Sequence, residues 1–558
     1  MAFSLKLTSL TLNDGGQVPV LPAGITAFVG PNNSGKSQIL REIQHALLDN
    51  TPSVVTHEIN FQREGSPEEV LEWFEAAFPR HLISGDEYFV GESTSIVVQH
   101  AAAWFAAGPP MVNSISHLLI RLLDAESRLT LSKPVDSFDV LAEPPSTALQ
   151  RLFLSPKMEA AVSVAFSDAF GAGLVLNRMG GKSISLHVGE SLNASITDPS
   201  EYLTQIAQRS PVATQGDGIR SYVGILLASL ATPWPILLVD EPEAFLHPPQ
   251  ARALGRQLAT IASGGAQVIL ATHSADIVRG LLDGPPDSVA INRLTRMRDT
   301  NHVASLPDAE LQHLWEDPLL RFSNILDGLF HDAVVLCESD ADCRFYEAVL
   351  AALQQADEVP RNDWLFVHCG GKHRMPVVVR ALQAVGVPVR VIADIDVLRD
   401  TQLLNDLMTM LGLRAEMMTT QLTTIRSAVQ GLAPQNPVGF VKDEIERVFD
   451  QHAGPNMTRE VQNAIRSATR SADGWTAIKR GGAVAVPQGD PSTAAATVFL
   501  ALKKIGIYVV PVGELERWDA TVPGHGPGWT TEALTRRSHD QPGSPAWVFI
   551  KELAHSLD

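Results

Sequence analysis

The chain has 558 residues, which is too long for one hydrophobic core and predicts about two to four domains. Hydrophobic residues make up 45% of it, which excludes a wholly disordered protein, and the formal net charge of −19 argues against a broad, non-specific nucleic-acid binder. No apolar run reaches the length of a membrane span, and three cysteines without metal-pair spacing favour a reducing, cytoplasmic location with no membrane partner.

The first predicted element is a β-hairpin, from Ser4 to Leu12 and back through Val18 to Leu21. A buried strand then leads into Gly-Pro-Asn-Asn-Ser-Gly-Lys-Ser, which fits the phosphate-binding pattern GxxxxGK[ST], and a helix follows. Backbone N–H groups and the helix dipole there would hold ATP, with Lys36 on the β- and γ-phosphates and Ser37 on Mg²⁺. The alternative is a chance glycine-rich turn. The predicted nucleotide-binding residues of this loop are Gly30, Asn32, Asn33, Ser34, Gly35, Lys36 and Ser37.

The pattern loosens between residues 51 and 205. A capped helix begins after Ser66, and the stretches from Ile115 to Leu123 and from Leu149 to Phe170 predict two further helices. We interpret this region as an insertion between two halves of an ATPase domain, where it would form an arm or a dimer surface.

The apolar strand from Pro235 to Val239 ends in two carboxylates, which is the Walker B pattern. Asp240 would hold the water shell of Mg²⁺, and Glu241 would orient and deprotonate the attacking water. A later buried strand ends at His273, where a sensor of the γ-phosphate would lie. The alternatives are a solvated loop start for the two acids and an ordinary loop histidine.

Upstream of Walker B, Gly216 and Gly218 open an apolar helix that runs to Leu230, which predicts a second anion site; the alternative is an ordinary helix cap. In this order of motifs, residues 1–50 and 206–280 resemble the ATPase head of the ABC class, nearest the chromosome-maintenance and RecF-like heads. In that architecture the signature helix contacts the ATP of the other protomer, so the resemblance implies a homodimer or a higher homo-oligomer. The sequence departs from the transporter-type signature LSGGQ.

A second α/β pattern begins near residue 331 and places acids at the ends of its strands. One strand ends at Glu338, with Asp342 one helical turn on, and a later strand ends at Asp394 and Asp396. Sites form at the carboxyl ends of parallel strands, and the last two acids share a face if their strand continues. Such a cluster repels itself unless Mg²⁺ or Mn²⁺ neutralises it, and the bound ion could activate water against a phosphodiester. The alternative is a set of solvated loop carboxylates.

These acids, with a glycine-bearing turn between them, resemble a Toprim domain. A Toprim domain after an ABC-type ATPase resembles the OLD (overcoming lysogenization defect) family of ATP-dependent nucleases, which includes the nuclease of Gabija-type phage defence. The resemblance implies a metal-dependent nuclease site in which Glu338, Asp342, Asp394 and Asp396 are ligands. Ser339 stands where the family has glycine.

The family also uses a later acid and a basic residue. Glu514 and Glu516, after the final strand, are the candidate metal ligands, with Glu516 preferred, and Lys479 is the candidate for stabilising charge on the scissile phosphate. The alternatives are a surface helix cap and a solvated lysine. Trp475 could stack a base in the helical insertion between about 400 and 500, unless this is a plain amphipathic helix face. The basic residues of that insertion are Arg459, Arg466, Arg470, Lys479 and Arg480.

The predicted fold class is α/β, with an ABC-type P-loop ATPase head that carries a helical insertion, followed by a Toprim domain. The predicted function is an ATP-regulated DNA endonuclease that uses ATP and Mg²⁺ or Mn²⁺. The family resemblance alone implies a role in anti-phage defence and a partner defence protein. The alternatives are a DNA-stimulated ATPase clamp or sensor whose Toprim domain does not cut, and an RNA-directed nuclease. The predicted domains are two ATPase halves (1–50, and 206–325 with a linker), the insertion (51–205), the Toprim domain (326–520) and a C-terminal tail (521–558).

Overall fold

The structure, a computed structural model, divides the chain into two compact units, residues 1–330 with 384–386 and residues 331–383 with 387–558. Each unit has its own central sheet, and the first unit also holds three smaller sheets. The described residues are 3–48, 51–78, 80–83, 85–91, 94–107, 113–193, 197–232, 234–284, 288–306, 324–361, 363–432, 442, 445–446, 448–449, 457–459, 461–462, 465 and 474–556.

The first unit holds sixteen strands and eleven helices among its described residues. The strands are β1 (Ser4–Leu12), β2 (Gln17–Val18), β3 (Gly24–Val29), β4 (Thr56–Glu64), β5 (Arg80–Ile83), β6 (Asp86–Val90), β7 (Ser95–Val97), β8 (Ile120–Leu123), β9 (Val135–Asp136), β10 (Leu174–Asn177), β11 (Ser183–Val188), β12 (Ser210–Pro211), β13 (Ile236–Asp240), β14 (Gln267–Ala271), β15 (Val289–Met297) and β16 (Thr300–Ser305). The helices are α1 (Lys36–Leu48), α2 (Pro67–Ala77), α3 (Val98–Ala107), α4 (Asn113–Ser116), α5 (Ala125–Leu131), α6 (Ala148–Leu154), α7 (Pro156–Phe170), α8 (Pro199–Ala207), α9 (Asp217–Leu230), α10 (Pro248–Ser263) and α11 (Ala275–Leu282).

The centre of this unit is a six-stranded sheet in the order β16-β15-β3-β14-β13-β8. All neighbours pair in parallel except β15 and β16. Strand β3 is buried along its whole length, and β13 is buried up to its last residue, as expected of central strands covered on both faces. The carboxyl ends of β3, β13 and β14 therefore meet at one edge, where the predicted phosphate loop, Walker B acids and histidine begin.

Three predictions for this unit are wrong, two of them because long-range pairing decides the structure. The predicted helix from Ile115 to Leu123 is instead the short helix α4 followed by strand β8, which pairs in parallel with β13. A short apolar run does not distinguish a strand from a helix by periodicity. The end of the second ATPase half, predicted as a linker, instead contains β15 and β16 of the central sheet. The predicted single helix from Leu149 to Phe170 is broken into two at Ser155 and Pro156.

The region predicted as an insertion, residues 51–205, also contributes strands to the sheets of the ATPase head. Strand β4 pairs antiparallel with β1, and β8 forms an edge of the central sheet. The predicted first hairpin, the capped helix after Ser66 and the start of the signature helix are as expected.

The second unit has a four-stranded parallel sheet in the order β18-β17-β19-β20. Its strands are β17 (Ala333–Cys337), β18 (Trp364–His368), β19 (Val389–Ala393) and β20 (Ile507–Val509). Its helices are α12 (Asp340–Gln355), α13 (Met375–Ala384), α14 (Thr401–Met410), α15 (Thr419–Gly431), α16 (Gly474–Gly481), α17 (Asp490–Lys504), α18 (Pro527–Thr535) and α19 (Pro545–Ala554).

The C-terminal segment, predicted as a tail, forms two helices that complete the core of this unit. Trp529 of α18 is fully buried and its ring centroid lies 5.2 Å from that of Phe345 in α12. Phe549 of α19 packs against Tyr346 and Trp518 at centroid distances of 6.1 and 5.2 Å. Residues beyond 521 are therefore structural members of the second unit.

Candidate functional site

The phosphate-binding loop joins the end of β3 to the start of α1, and its backbone requires glycine. Gly30 has φ +138°, and a Cβ there would lie 2.1 Å from the carbonyl oxygen of Leu294. Gly35 has φ +97°, also in the region that favours glycine. Asn32 and Asn33 are exposed in the loop, and Asn33 has a left-handed φ of +62°.

Lys36 is held inside the loop. Its Nζ donates to the carbonyls of Gly30 at 2.9 Å and Pro31 at 2.8 Å and to Ser34 Oγ at 3.2 Å. Burial lowers the pKa of Lys36 to about 8, although the Walker B acids favour its charged form. Asn301, which the sequence analysis missed, donates from its side chain to the carbonyl of Ser34 at 2.7 Å and so supports the loop from strand β16.

The Walker B acids lie beside the loop as predicted. Ser37 Oγ donates to Asp240 Oδ1 at 2.8 Å, which brings the two predicted magnesium ligands together. Burial raises the pKa of Asp240, although the hydrogen bond from Ser37 acts to lower it. Glu241 has φ +47°, a conformation rare for a non-glycine residue, and its carboxylate lies 3.4 Å from Nε2 of His273. The predicted water-activating acid and the predicted sensor are therefore neighbours.

A third acid, not assigned a role by the sequence analysis, holds the histidine loop. Glu243 accepts from the backbone N–H of His273 at 2.6 Å and from Oγ1 of Thr272 at 2.8 Å. Burial, together with the charge of Lys36, lowers the pKa of His273 to about 4. The imidazole is thus neutral near pH 7, and it can donate from one ring nitrogen and accept at the other.

The fully buried Arg128 joins the Walker B segment to the signature helix. Its guanidinium donates to the carbonyls of Asp240 and Glu241, the latter at 3.1 Å, and its Nε donates to Ser221 Oγ in α9 at 3.0 Å. Sequence reasoning missed it because it lies in no motif. A buried arginine with hydrogen bonds from all three of its nitrogens fixes the backbone that carries Asp240 and Glu241.

The predicted signature glycines lie at the start of α9. Gly216 is its N-cap and makes no side-chain cap, and Gly218 packs so closely that a Cβ would lie 2.5 Å from the carbonyl oxygen of Phe245. Phe245 has φ +71° and is 54% exposed. The helix start and this exposed aromatic therefore form one surface.

In the second unit the three acids at the strand ends converge. Glu338, Asp394 and Asp396 each offer an oxygen, and these oxygens all lie within 4.8 Å of one another. The strand carrying the last two ends at Ala393, and a 3₁₀ turn from Ile395 to Arg399 follows, so their convergence comes from the turn and not from strand alternation. Burial and the mutual repulsion of these acids raise the pKa values of Glu338 and Asp394.

Two lysines approach this triad of carboxylates, Glu338, Asp394 and Asp396. Lys479 Nζ lies 3.0 Å from Asp394 Oδ2 and 3.8 Å from Asp396 Oδ2, as predicted for a basic residue of the site. Its pKa is raised because these acids outweigh the effect of its burial. Lys372, which the sequence analysis did not assign, lies 2.7 Å from Asp396 Oδ2.

The other predicted ligands lie outside the triad. Asp342 accepts from the N–H and Oγ of Ser339, both at 2.8 Å, in the capping box of α12, so the serine in place of the family glycine caps this helix. Glu514 lies 3.9 Å from Lys479 Nζ, whereas Glu516 contacts His525 and accepts from the N–H of Gly526. Their roles as ligands of a second ion stay predictions.

A cavity of about 470 Å³ opens beside the triad and carries basic side chains on its lining. Trp475 also lines this cavity and is 7% exposed, and its stacking against a base stays a prediction. Arg459 is exposed, and Arg466 and Arg470 lie outside the described residues. The basic residues that line the cavity are Arg399, Lys479, Arg480, Arg517 and His525.

The donor set fits a hard divalent cation. Carboxylate oxygens are the ligands that Mg²⁺ and Mn²⁺ prefer. Oδ1 of Asp396 is buried and has no hydrogen-bond partner among the described residues, which is costly for a carboxylate unless an ion satisfies it. In the first unit, Ser37 and Asp240 would hold the ion that accompanies ATP.

Two family models match parts of the chain. Residues 190–279 match a model described by the words AAA domain, AbiEii toxin and Type IV TA system, and residues 329–396 match "Overcoming lysogenization defect protein-like, TOPRIM domain". A stretch of 171 residues is 25% identical to "Old nuclease" of Escherichia phage P2, covering 29% of this chain and 28% of that protein. The match thus spans under a third of that relative. These findings confirm the predicted combination of an ATPase and a Toprim domain of this family; the likeness to Gabija-type nucleases stays a prediction.

Solved structures similar to the chain include heads of chromosome-maintenance (SMC) proteins. The SMC head domain from Thermotoga maritima is 13% identical with a TM-score of 0.29, covering 55% of this chain and 100% of that one. The SMC head bound to the winged-helix domain of ScpA is 14% identical with a TM-score of 0.32, covering 54% and 97%. Scores this low carry no argument about function. Within the described part of the chain, every helix is too short or too polar to traverse a bilayer.

Proposed function

Because the chain joins a P-loop ATPase head to a Toprim domain of the overcoming-lysogenization-defect type, we propose that it is an ATP-regulated, divalent-metal-dependent DNA endonuclease. The observation that carries the proposal is the triad of Glu338, Asp394 and Asp396, whose oxygens lie within 4.8 Å of one another beside Lys479. Divalent ions held there would supply an activated water and stabilise the leaving oxygen. Lys479 would donate to the scissile phosphate as its charge grows.

The cavity beside the triad supports a nucleic-acid substrate. Arg399, Arg480 and Arg517 line it in a chain whose net charge is strongly negative. Guanidinium groups bind phosphates bidentately, so these side chains would bind the phosphates next to the one that is cut. We propose DNA as the substrate, and RNA is the alternative.

The first test is cleavage of a supercoiled plasmid with Mg²⁺ or Mn²⁺, with and without ATP, by wild type and Asp394→Ala. The matched control is Asp340→Ala, since Asp340 is an exposed acid two residues from Glu338 and is paired with Arg344 on helix α12. We expect metal-dependent nicking or linearisation that Asp394→Ala loses and Asp340→Ala keeps, with ATP hydrolysis intact in both. The lanes with ATP give the sign of its effect on cutting.

Intact plasmid in every lane, with ATP hydrolysis stimulated by DNA, would contradict the endonuclease and favour a clamp or sensor. Cleavage of RNA alone would favour the RNA-directed nuclease. Loss of ATP hydrolysis in Asp394→Ala would contradict the assignment of the second site.

We also propose that ATP joins two copies of the chain through the surface formed by the start of α9 and Phe245. Support comes from the half-exposed aromatic beside Gly218 and from the uncapped helix start, which can receive a phosphate. Glu241→Gln should hold ATP without hydrolysis, and light scattering should then give a dimer. Phe245→Asp in the same background should remain a monomer; a dimer that persists would contradict this surface.

A role in anti-phage defence, with a partner defence protein, is proposed from the family resemblance alone. The three cysteines are unpaired, which suits a reducing cytoplasm. Plating of phages on cells that express wild type or Asp394→Ala tests the role, and equal plaque counts would contradict it.

A further inference from the structure

Lys372 and Lys479 reach the carboxylate triad from opposite edges of the sheet. Lys372 follows β18, at one edge of the order β18-β17-β19-β20, whereas Lys479 lies 3.9 Å from Glu514, which follows β20 at the other edge. Lys372 Nζ lies 2.7 Å from Asp396 Oδ2, the shortest contact that either lysine makes with the triad. Both side chains of this pair are less than one fifth exposed, so solvent screens the interaction only partly.

The loop that carries Lys372 is built to hold it there. Gly370 and Gly371 have φ values of +72° and +120°, which turn the chain back toward the triad. The N–H of Gly371 donates to the carbonyl of Glu338 at 3.0 Å, and its own carbonyl accepts from Cys369 Sγ at 3.2 Å. His373 pairs with Asp400 at 3.4 Å. The ammonium is thus fixed beside Asp396 by the backbone of a neighbouring strand.

In this arrangement Lys372 and a divalent metal ion compete for the same carboxylate, that of Asp396. Oδ2 of Asp396 carries the ammonium, while its Oδ1 is buried and has no hydrogen-bond partner among the described residues. A divalent ion in the triad would lie a few ångströms from the ammonium of Lys372. Both are positively charged, and their repulsion weakens the binding of the ion.

We propose that Lys372 is a resident counter-cation of the triad, which holds Asp396 in place and competes with the divalent ion, and so sets the metal concentration at which the site is filled. The inference rests on the proposed metal-dependent function. It assigns to Lys372 a positioning and regulatory role that differs from the substrate-directed role of Lys479.

The test is calorimetric titration of nucleotide-free protein with MnCl₂, without DNA. The variants are Lys372→Met and Lys372→Gln, which remove the charge, Lys372→Arg, which keeps it, and Asp394→Asn, which gives the background from other sites. Lys503→Met is the matched control, because Lys503 pairs with Glu552 on the same unit outside the site. Thermal melts check that each variant is folded.

We expect both neutral variants to bind Mn²⁺ at least about tenfold more tightly than wild type. The affinity of Lys372→Arg and Lys503→Met should equal that of wild type. The Mn²⁺ concentration for half-maximal plasmid nicking should fall by a similar factor. Wild-type affinity, or weaker binding, in both neutral variants would overturn the counter-cation while leaving the proposed function standing. If wild type shows no Mn²⁺ binding that depends on Asp394, the metal site itself fails, and the counter-cation fails with it.

Discussion

Alkaline pH should weaken ATP binding, because Lys36 loses its charge easily in the buried loop. Its side chain is 3% exposed, and burial lowers its pKa from 10.5 to about 8. The triphosphate needs the ammonium form. The protonated fraction falls from about three quarters at pH 7.5 to about 3% at pH 9.5, so the affinity for ATP should fall ~25-fold over this range.

The stability of the empty protein should change in the opposite direction. The pKa of Lys36 in the folded state, about 8, lies below its unfolded value of 10.5, so burial of the charge destabilises the fold fully below pH 8. That cost disappears as the pH rises from 8 to 10.5, because Lys36 releases its proton at a lower pH in the folded state than in the unfolded state. The gap between the two pKa values corresponds to ~3 kcal/mol of unfolding free energy gained by the first unit.

Both effects can be measured on wild type and Lys36→Met. Titration with a fluorescent ATP analogue in EDTA at several pH values gives the affinity, and urea unfolding of the first unit gives the stability. The difference in stability between the two proteins isolates Lys36, since other groups titrate in both. Wild-type affinity that stays flat from pH 7.5 to 9.5, or stability curves that run parallel for the two proteins, would refute the reasoning.

Three further predictions concern single side chains. Arg128→Met should lower the unfolding free energy of the first unit by ~3 kcal/mol and reduce ATP turnover, because it leaves buried carbonyls unpaired; an unchanged urea midpoint would contradict this. Trp529→Ala should cost the second unit about 3–5 kcal/mol through a large cavity, and calorimetry should show the melting of the first unit unchanged. His273→Asn should keep ATP binding and lower turnover by ~10²-fold. Since the pKa of His273 is about 4, wild-type turnover should show no acidic limb from this residue between pH 6 and 8, and a limb near pH 6.5 that the variant lacks would contradict its neutral state.

Motifs with fixed spacing could be predicted from the sequence because their chemistry dictates their residues. The loop ending in Lys36 and Ser37, the acid pair at Asp240 and the acids at the ends of β17 and β19 all lie where the order of strands places them. Each needs only a local rule, namely a strand followed by a polar turn, and the geometry of parallel sheets then brings the turns together.

Features that depend on distant partners could not be predicted. Strand β8 exists because β13 offers it an edge, and its apolar residues alone also fit a helix. Arg128 lies in an ordinary helix, and its role depends on carbonyls more than 110 positions away. Lys372 follows two glycines that looked like a simple turn. In each case the sequence supplied the side chain, whereas long-range pairing supplied its neighbour.

The last strand and the last two helices of the second unit, β20, α18 and α19, complete its sheet and its core. This order affects how the chain folds while it is being translated. Strand β19 can receive its edge partner only after residue 507 has left the ribosome, and the buried Trp529 and Phe549 follow later still. Nearly all of the ATPase head, by contrast, is translated by residue 330 and can fold first. A ribosome that stops early would therefore release a nucleotide-binding head attached to an unfinished Toprim domain. Such a fragment would lack β20 and the two helices that complete the core of the second unit.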